Sequence, residues 1–311
     1  MSRKKDFIDK VTAEENNAPL SNVIKIDEKS EDETILTQIA QMWRTNHLAC
    51  FSAIFILILI LIAIFAPLIA PYGYADQDLL SRLAAPSFAH PLGTDELGRD
   101  ILSRIIYGSR VSICIGLFPT FISIVIGMIL GLVAGYYGGV VDKIIMRLAD
   151  VMLAVPSLLL AMVVMYTLGS SIFNVFIALS MIGWAGVARV VRSQTLSIKQ
   201  SEYIEAARSI GVSNGTIIMR HILPNCIPSI IVLFTLDIPS SILSESSLSF
   251  LGIGAQPPTA SWGLMVTSGK EYLFSQPWIC ITPAVAIMLI VLAFNFFGDG
   301  LRDTLDPYLK K

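Results

Sequence analysis

The chain has 311 residues, 54% of them apolar and 15% charged, with a formal net charge of -2 and a mean hydropathy of +0.69. Soluble domains carry about 25% charged residues, so this composition excludes an ordinary soluble domain and points to a bilayer as solvent. With no basic excess, a nucleic-acid partner is excluded as well.

The first 46 residues are polar, beginning MSRKKDFIDK, with Glu31-Asp32-Glu33 as their densest acidic run. They have little to bury and are expected to form a cytoplasmic tail without stable structure. Within that tail Ile35, Leu36, Ile39, Met42 and Trp43 recur at helical spacing. They read either as a short helix lying at the membrane interface or as the first turns of the helix that follows. No secretory signal and no lipidation motif precede that helix, so it is expected to remain and to serve as its own insertion signal.

A membrane-spanning helix needs about 20 mostly apolar residues. Six stretches qualify: Leu48–Ile69, Val111–Ala134, Asp150–Leu168, Ile172–Val190, Cys226–Ser247 and Trp278–Phe297. The third contains Pro156 and is kept as one span because membrane helices tolerate proline. The predicted fold is thus an all-α membrane protein. It has a tail over 1–46, a first span and outer segment over 47–110, and a core of five spans over 111–311.

Of the 22 Lys and Arg residues, an inside N-terminus places 17 on inner segments and 5 on outer ones. The positive-inside rule then sets both termini in the cytoplasm. The outer stretch Pro71–Arg110 contains Asp95, Glu96, Arg99 and Asp100. With no cysteine or metal-ligand cluster beside them, these residues read as structural pairing or docking and not as a catalytic carboxylate pair. Arg147 and Asp150, three apart at the inner end of the third span, are expected to pair with each other.

The inner connection between the fourth and fifth spans reads SEYIEAARSIGVSNGTIIMRHILPN. Ser201 is placed to cap a helix, and Glu202 and Glu205 suit its positive end. Tyr203, Ala207 and Ile210 are predicted to share one face. Gly211 suits the left-handed position that closes a helix. A second helix should start at Ser213, align Ile217, Ile218, His221 and Ile222, and end at Pro224. Two short helices joined by a glycine hinge make a docking element, or more blandly an amphipathic surface loop.

In the fifth span Asp237 and Glu245 lie at membrane depth, where ionisable groups are costly and often functional. Together with Ser241, and with Ser240, Ser244 and Ser247 beside them, they form candidate lining for a translocation path. The alternatives are that Asp237 pairs within a bundle and that Glu245 reaches the outer interface.

Glu205-Ala206-Ala207, Gly211 and Leu223-Pro224 have the spacing of the EAA loop of bacterial ABC importer permeases. Three further segments sharpen this resemblance: HPLGTDELGRDILSRIIYGSR (90–110), LSFLGIGAQPPTASWG (248–263) and FNFFGDGLRDTLDP (294–307). Over roughly residues 40–311 the chain resembles the C-type permeases of the dipeptide, oligopeptide and nickel importer family, with the run 238–252 nearest the oligopeptide members. His221 stands where that family often has isoleucine.

The resemblance implies a permease of six spans in the bacterial inner (plasma) membrane, paired with a homologous B-type permease. It also implies two ATPase subunits, an extracellular or periplasmic substrate-binding protein and a peptide substrate. The loop 201–224 is then the element that couples to the ATPases. The chain has no G-x-x-x-x-G-K-[ST] phosphate loop, so it is expected to be no enzyme and to bind no cofactor, with ATP used by the partner subunits. The scattered Cys50, Cys114, Cys226 and Cys280, with His47, His90 and His221, suggest neither a metal site nor a disulfide framework. Alternatives are the same architecture carrying dipeptides, nickel or another small solute, an ion-coupled carrier using Asp237, and a membrane enzyme. The enzyme lacks a convincing nucleophile and base on facing spans.

Overall fold

A computed structural model of the chain describes residues 46–305. The predicted tail, its interfacial stripe and the last residues of the C-terminal motif lie outside these. The described residues are nearly all helical and contain no strand, only an isolated bridge between Thr94 and Asp100.

Helix α1 (His47–Ile64) starts on an Asn46 cap and runs into the short α2 (Ala66–Ile69). A hydrogen-bonded segment with one 3₁₀ turn, Leu79–Ser81, leads to α3 (Ile101–Tyr137), whose N-cap is Asp100. There follow α4 (Gly139–Ala154), α5 (Ser157–Leu168), α6 (Ile172–Lys199), α7 (Glu202–Ser209) and α8 (Asn214–Ile217). A π-turn over Ile218–Ile222 joins α8 to α9 (Leu223–Phe250), and α10 (Trp262–Gly269) and α11 (Trp278–Leu305) complete the chain. Among the described residues, five helices are long and apolar enough to span a membrane: α1, α3, α6, α8 with α9, and α11. Only 22% of the spanning stretch of α1 is buried, because side chains such as Phe51 and Leu57 face outward, as a lipid solvent permits.

The third predicted span is not straight. It breaks between α4 and α5, which meet at 92°. Proline disfavours the helical region for the residue before it, and Val155 accordingly sits extended at φ -96, ψ 133. At 12 residues, α5 is about 18 Å long, too short to cross about 30 Å of hydrocarbon alone.

Small residues on α3 explain why the pair must cross back. Ser123 donates to the carbonyl of Ser180 at 3.0 Å. A Cβ added at Gly127 would stand 2.6 Å from the Trp184 carbonyl oxygen, one at Gly131 2.6 Å from that of Ala188, and one at Gly135 2.9 Å from that of Arg192. Each step of four along α3 is matched by a step of four along α6. The two helices therefore run parallel with backbones in contact, the arrangement small residues allow in membranes. Two parallel helices require a return crossing between them, so α4 and α5 together make the sixth span.

The remaining contacts sort the ends. Arg110 on α3 donates to the carbonyls of Ala63 and Ile64, the latter at 2.7 Å, so α1 finishes beside the start of α3. Ala49 packs with Leu301 and Leu305, so α1 begins beside the end of α11. The end of α3, the 201–222 segment, the start of α1 and the end of α11 thus share one end of the bundle, the lower end. Residues 65–100 and 251–277 form the upper end.

At the lower end Asp150 pairs with Arg189 at 2.8 Å and Asp142 with Arg192. The predicted Arg147–Asp150 pair does not form. The packing of α4 against α6 offers Asp150 a cation on another helix instead.

Candidate functional site

The loop segment is built by local rules. The Ser201 carbonyl accepts from the amides of Ile204 and Glu205, while its hydroxyl donates to Ile198 at 2.7 Å. At the other end of α7, Val212 N donates to the Ala207 carbonyl and Gly211 N to that of Arg208, a Schellman closure. Gly211 takes φ +83 there, as its sequence position predicts.

The predicted face of α7 is corrected. Ile204 and Ala207 are buried, against Val191 and Ile217 among others, whereas Tyr203 is 49% and Ile210 81% exposed. The helix has only eight residues, and docking on the α3–α6 seam, not the width of its apolar stripe, selects the buried side. Pro224 does not end the second helix either. The π-turn widens the coil ahead of it, and Pro224 enters the first turn of α9, where a missing amide costs little. Leu223 is half-buried and packs beside the Ile217 and Ile222 cluster. Glu205 and Ala206 are exposed, and among the described residues the Glu205 carboxylate has no hydrogen-bonding or ionic partner. Met219, in the π-turn, is 62% exposed.

The three α9 candidates separate. Ser241 turns inward, its hydroxyl 2.8 Å from that of Thr120 on α3. Glu245 is 1% exposed, accepts from the Ser249 hydroxyl at 2.7 Å, and lies under Gly263, where a Cβ would come within 3.0 Å of its carboxyl oxygen. Glu245 therefore does not reach an interface. Asp237 is half-buried and, among the described residues, has no hydrogen bond or ion pair. On its side of the helix the spacing +3, +4, +3 adds Ser240, Ser244 and Ser247. The hydroxyls of Ser244 and Ser247 bond back to the carbonyls of Ser240 and Leu243, which lowers the cost of a polar stripe in an apolar setting.

At the upper end the acidic and basic residues form a closed lattice. Asp95 accepts from the backbone amides of Leu97 and Arg99 at 2.9 and 3.0 Å. Its other oxygen meets Arg99 at 2.6 Å and Arg104 at 3.6 Å, and Arg99 also reaches Glu96 at 3.0 Å. Asp100 caps α3 through Ser103 N at 2.8 Å and holds His90 Nδ1 at 3.0 Å. Asp95, Arg99, Asp100 and Arg104 are all buried. At the rim, the Ser81 hydroxyl and Leu80 amide donate to Asp78 and hold its carboxyl below the usual carboxylate range. Among the described residues no three metal-ligating side chains converge.

Residues 127–311 match the family described as binding-protein-dependent transport system inner membrane component. The chain belongs to that family. It is a permease subunit of an ABC importer and an inner-membrane component. Residues 35–86 match the N-terminal transmembrane domain of oligopeptide transport permease C. The permease is 46% identical to the glutathione transport system permease protein GsiD of Pectobacterium atrosepticum, over 90% of this chain and 94% of the relative. It is 48% identical to GsiD of Escherichia coli O157:H7, over 86% and 89% of the two chains, and equally to that of Shigella sonnei.

Three of the four signature segments have their work inside the permease. The 90–110 stretch makes the lattice. In the 248–263 stretch Ser249 holds Glu245, and Trp262 Nε1 donates to Ile105 at 3.0 Å. In the C-terminal stretch Gly298 admits Leu236, whose Cδ2 would lie 2.7 Å from an added Cβ. The loop signature differs, since the side chains of Glu205 and Ala206 are exposed and the Glu205 carboxylate has no partner among the described residues.

Proposed function

We propose that the loop 201–224 is the seat of an ATPase subunit and that the Asp237 stripe lines a path for a peptide. The observation that carries the first part is the exposure of Glu205 and Ala206 between exposed Tyr203 and Ile210, on helices fixed to the bundle by Ile204, Ala207 and Ile217. An exposed apolar rim around a carboxylate in a well-anchored helix pair suits a protein partner.

In this reading the lower end is cytoplasmic. The lysines and arginines of the sequence favour it, and at the upper end Arg99 and Arg104 are neutralised by Asp95 and Glu96. A homologous permease completes the path, two ATPase subunits hydrolyse ATP, and a binding protein delivers substrate to the upper end. The half-buried carboxylate of Asp237 attracts the ammonium group of a peptide, and the serines offer hydroxyls to its amides. The glutathione permeases among the relatives and the match to an oligopeptide permease domain both support a short peptide, glutathione included.

Two variants test this. Glu205→Lys is expected to abolish uptake and to lose the ATPases on purification, with the permease still at normal level in the membrane; retained ATPases would refute the seat. Asp237→Asn is expected to cut uptake of labelled glutathione or tripeptide by about tenfold with the complex intact, the factor of about 1.4 kcal/mol of lost charge attraction. Uptake equal to wild type would remove Asp237 from the path.

A further inference from the structure

The lower end of α3 carries an aromatic ring on which three other elements converge. Tyr136, 4% exposed, is the penultimate residue of α3. Its hydroxyl donates at 2.7 Å to Oδ1 of Asn214, the first residue of α8. Lys199, the last residue of α6, donates to the Tyr136 carbonyl at 2.6 Å, and its Nζ lies 5.6 Å from the ring centroid. The Arg208 guanidinium carbon of α7 lies 5.4 Å from the same centroid.

Beyond these, α7 and α8 are held chiefly by the apolar side chains of Ile204, Ala207 and Ile217, with a Tyr203–His221 ring contact and the Ser201 hydroxyl on the Ile198 carbonyl beside them. Apolar contact is non-directional and resists sliding weakly, whereas a hydrogen bond and cations held over a ring fix orientation. One residue earlier, Gly135 brings α3 against α6 so closely that an added Cβ would stand 2.7 Å from the Thr195 Cβ. The ring therefore moves only with the α3–α6 seam. From it α3 runs 37 residues, about 55 Å, to the Asp100 cap at the upper end.

We infer that Tyr136 is the joint that passes movement of the docking loop into α3, a positioning residue for the transport cycle that binds neither substrate nor nucleotide. The inference rests on the docking reading above.

The test uses the whole importer in proteoliposomes. The probe is radiolabelled glutathione, or radiolabelled trialanine where the wild-type complex takes up only that, and the readout is peptide moved per ATP hydrolysed. Tyr136→Phe keeps the ring and its cations but loses the bond to Asn214. It is expected to retain the ATPases and their basal hydrolysis while peptide per ATP falls about fivefold, the factor one such hydrogen bond carries. Asn214→Ala should give the same ratio, and the double variant no further loss.

A wild-type ratio in both single variants overturns the joint. So does a Tyr136→Phe complex that loses its ATPases, since the residue then only supports the fold. Glu205→Lys, run beside them, separates the two ideas. If it releases the ATPases while Tyr136→Phe couples normally, the joint alone fails; if it keeps them, the seat fails and the joint with it.

Discussion

At the upper end Asp95 is gripped by two backbone amides and two guanidiniums, all within its own chain, and is 5% exposed. At the lower end Glu205 stands in the open with no partner among the described residues, flanked by the exposed Tyr203 and Ile210. Both carboxylates lie in signature segments of one family. The upper one is used to close a structure, the lower one is left for something else to close. A motif's residue types therefore do not reveal its task; whether its polar groups are already satisfied does.

The comparison can be broken most severely at the seam joining the two ends. Gly131→Leu forces atoms into the 2.6 Å approach to the Ala188 carbonyl. Since the obstacle is backbone, the cost should exceed the about 1–3 kcal/mol of ordinary overpacking, and little folded permease should be recovered from membranes. Next comes Asp95→Ala, which takes from buried Arg99 and Arg104 the carboxylate they share and leaves them only Glu96 and the Tyr74 carbonyl. Breaking a buried pair costs about 3–5 kcal/mol, and the thermal midpoint of the detergent-solubilised permease should fall with it. Ile210→Ala should have the smallest effect on stability, within about 0.5 kcal/mol as for other surface positions. It should still weaken ATPase association about fivefold, as loss of a contact worth about 1 kcal/mol does. If Ile210→Ala lowered the thermal midpoint as far as Asp95→Ala, the contrast between a closed end and an open one would be wrong.

Much of this was legible in the residues. Apolar length alone located α1, α3, α6, α9 and α11, and Gly211 marked the turn that closes α7. What escaped did so for definable reasons. Pro156 is visible in the third span, but tolerance of proline inside a membrane helix does not tell that here Val155 leaves the helical region and α5 swings through 92°. A pairing rule within one helix joined Asp150 to Arg147, but the nearer cation, Arg189, comes from another helix. The face of a short helix is set by what it lands on: Tyr203, Ala207 and Ile210 share a face by spacing, yet Ala207 is buried together with Ile204 while Tyr203 and Ile210 stay exposed. Spacing along α9 placed Asp237, Ser241 and Glu245 together. Only the position of α3 and α10 shows that Thr120 takes up the Ser241 hydroxyl and that Glu245 is buried beneath Gly263, while Asp237 has no such partner among the described residues. The run Gly127, Gly131, Gly135 was visible as a spacing of four and predicts close helix approach; its importance rests on a parallel partner that a linear reading does not supply. Tyr136 had no local signal, since its three partners are distant in sequence.

The matched steps of four between α3 and α6 also restrict how the gene can change length. Inserting or deleting one codon between residues 123 and 135 would turn everything beyond it by about 100°. The glycines would then point away from α6 and Tyr136 away from Lys199, Arg208 and Asn214. Substitutions in that stretch are filtered by size, but indels are filtered by phase, and a lone one has no repair short of a matching slip in α6. Length polymorphism in this protein should therefore be absent from that stretch, where two helices have to keep time with each other.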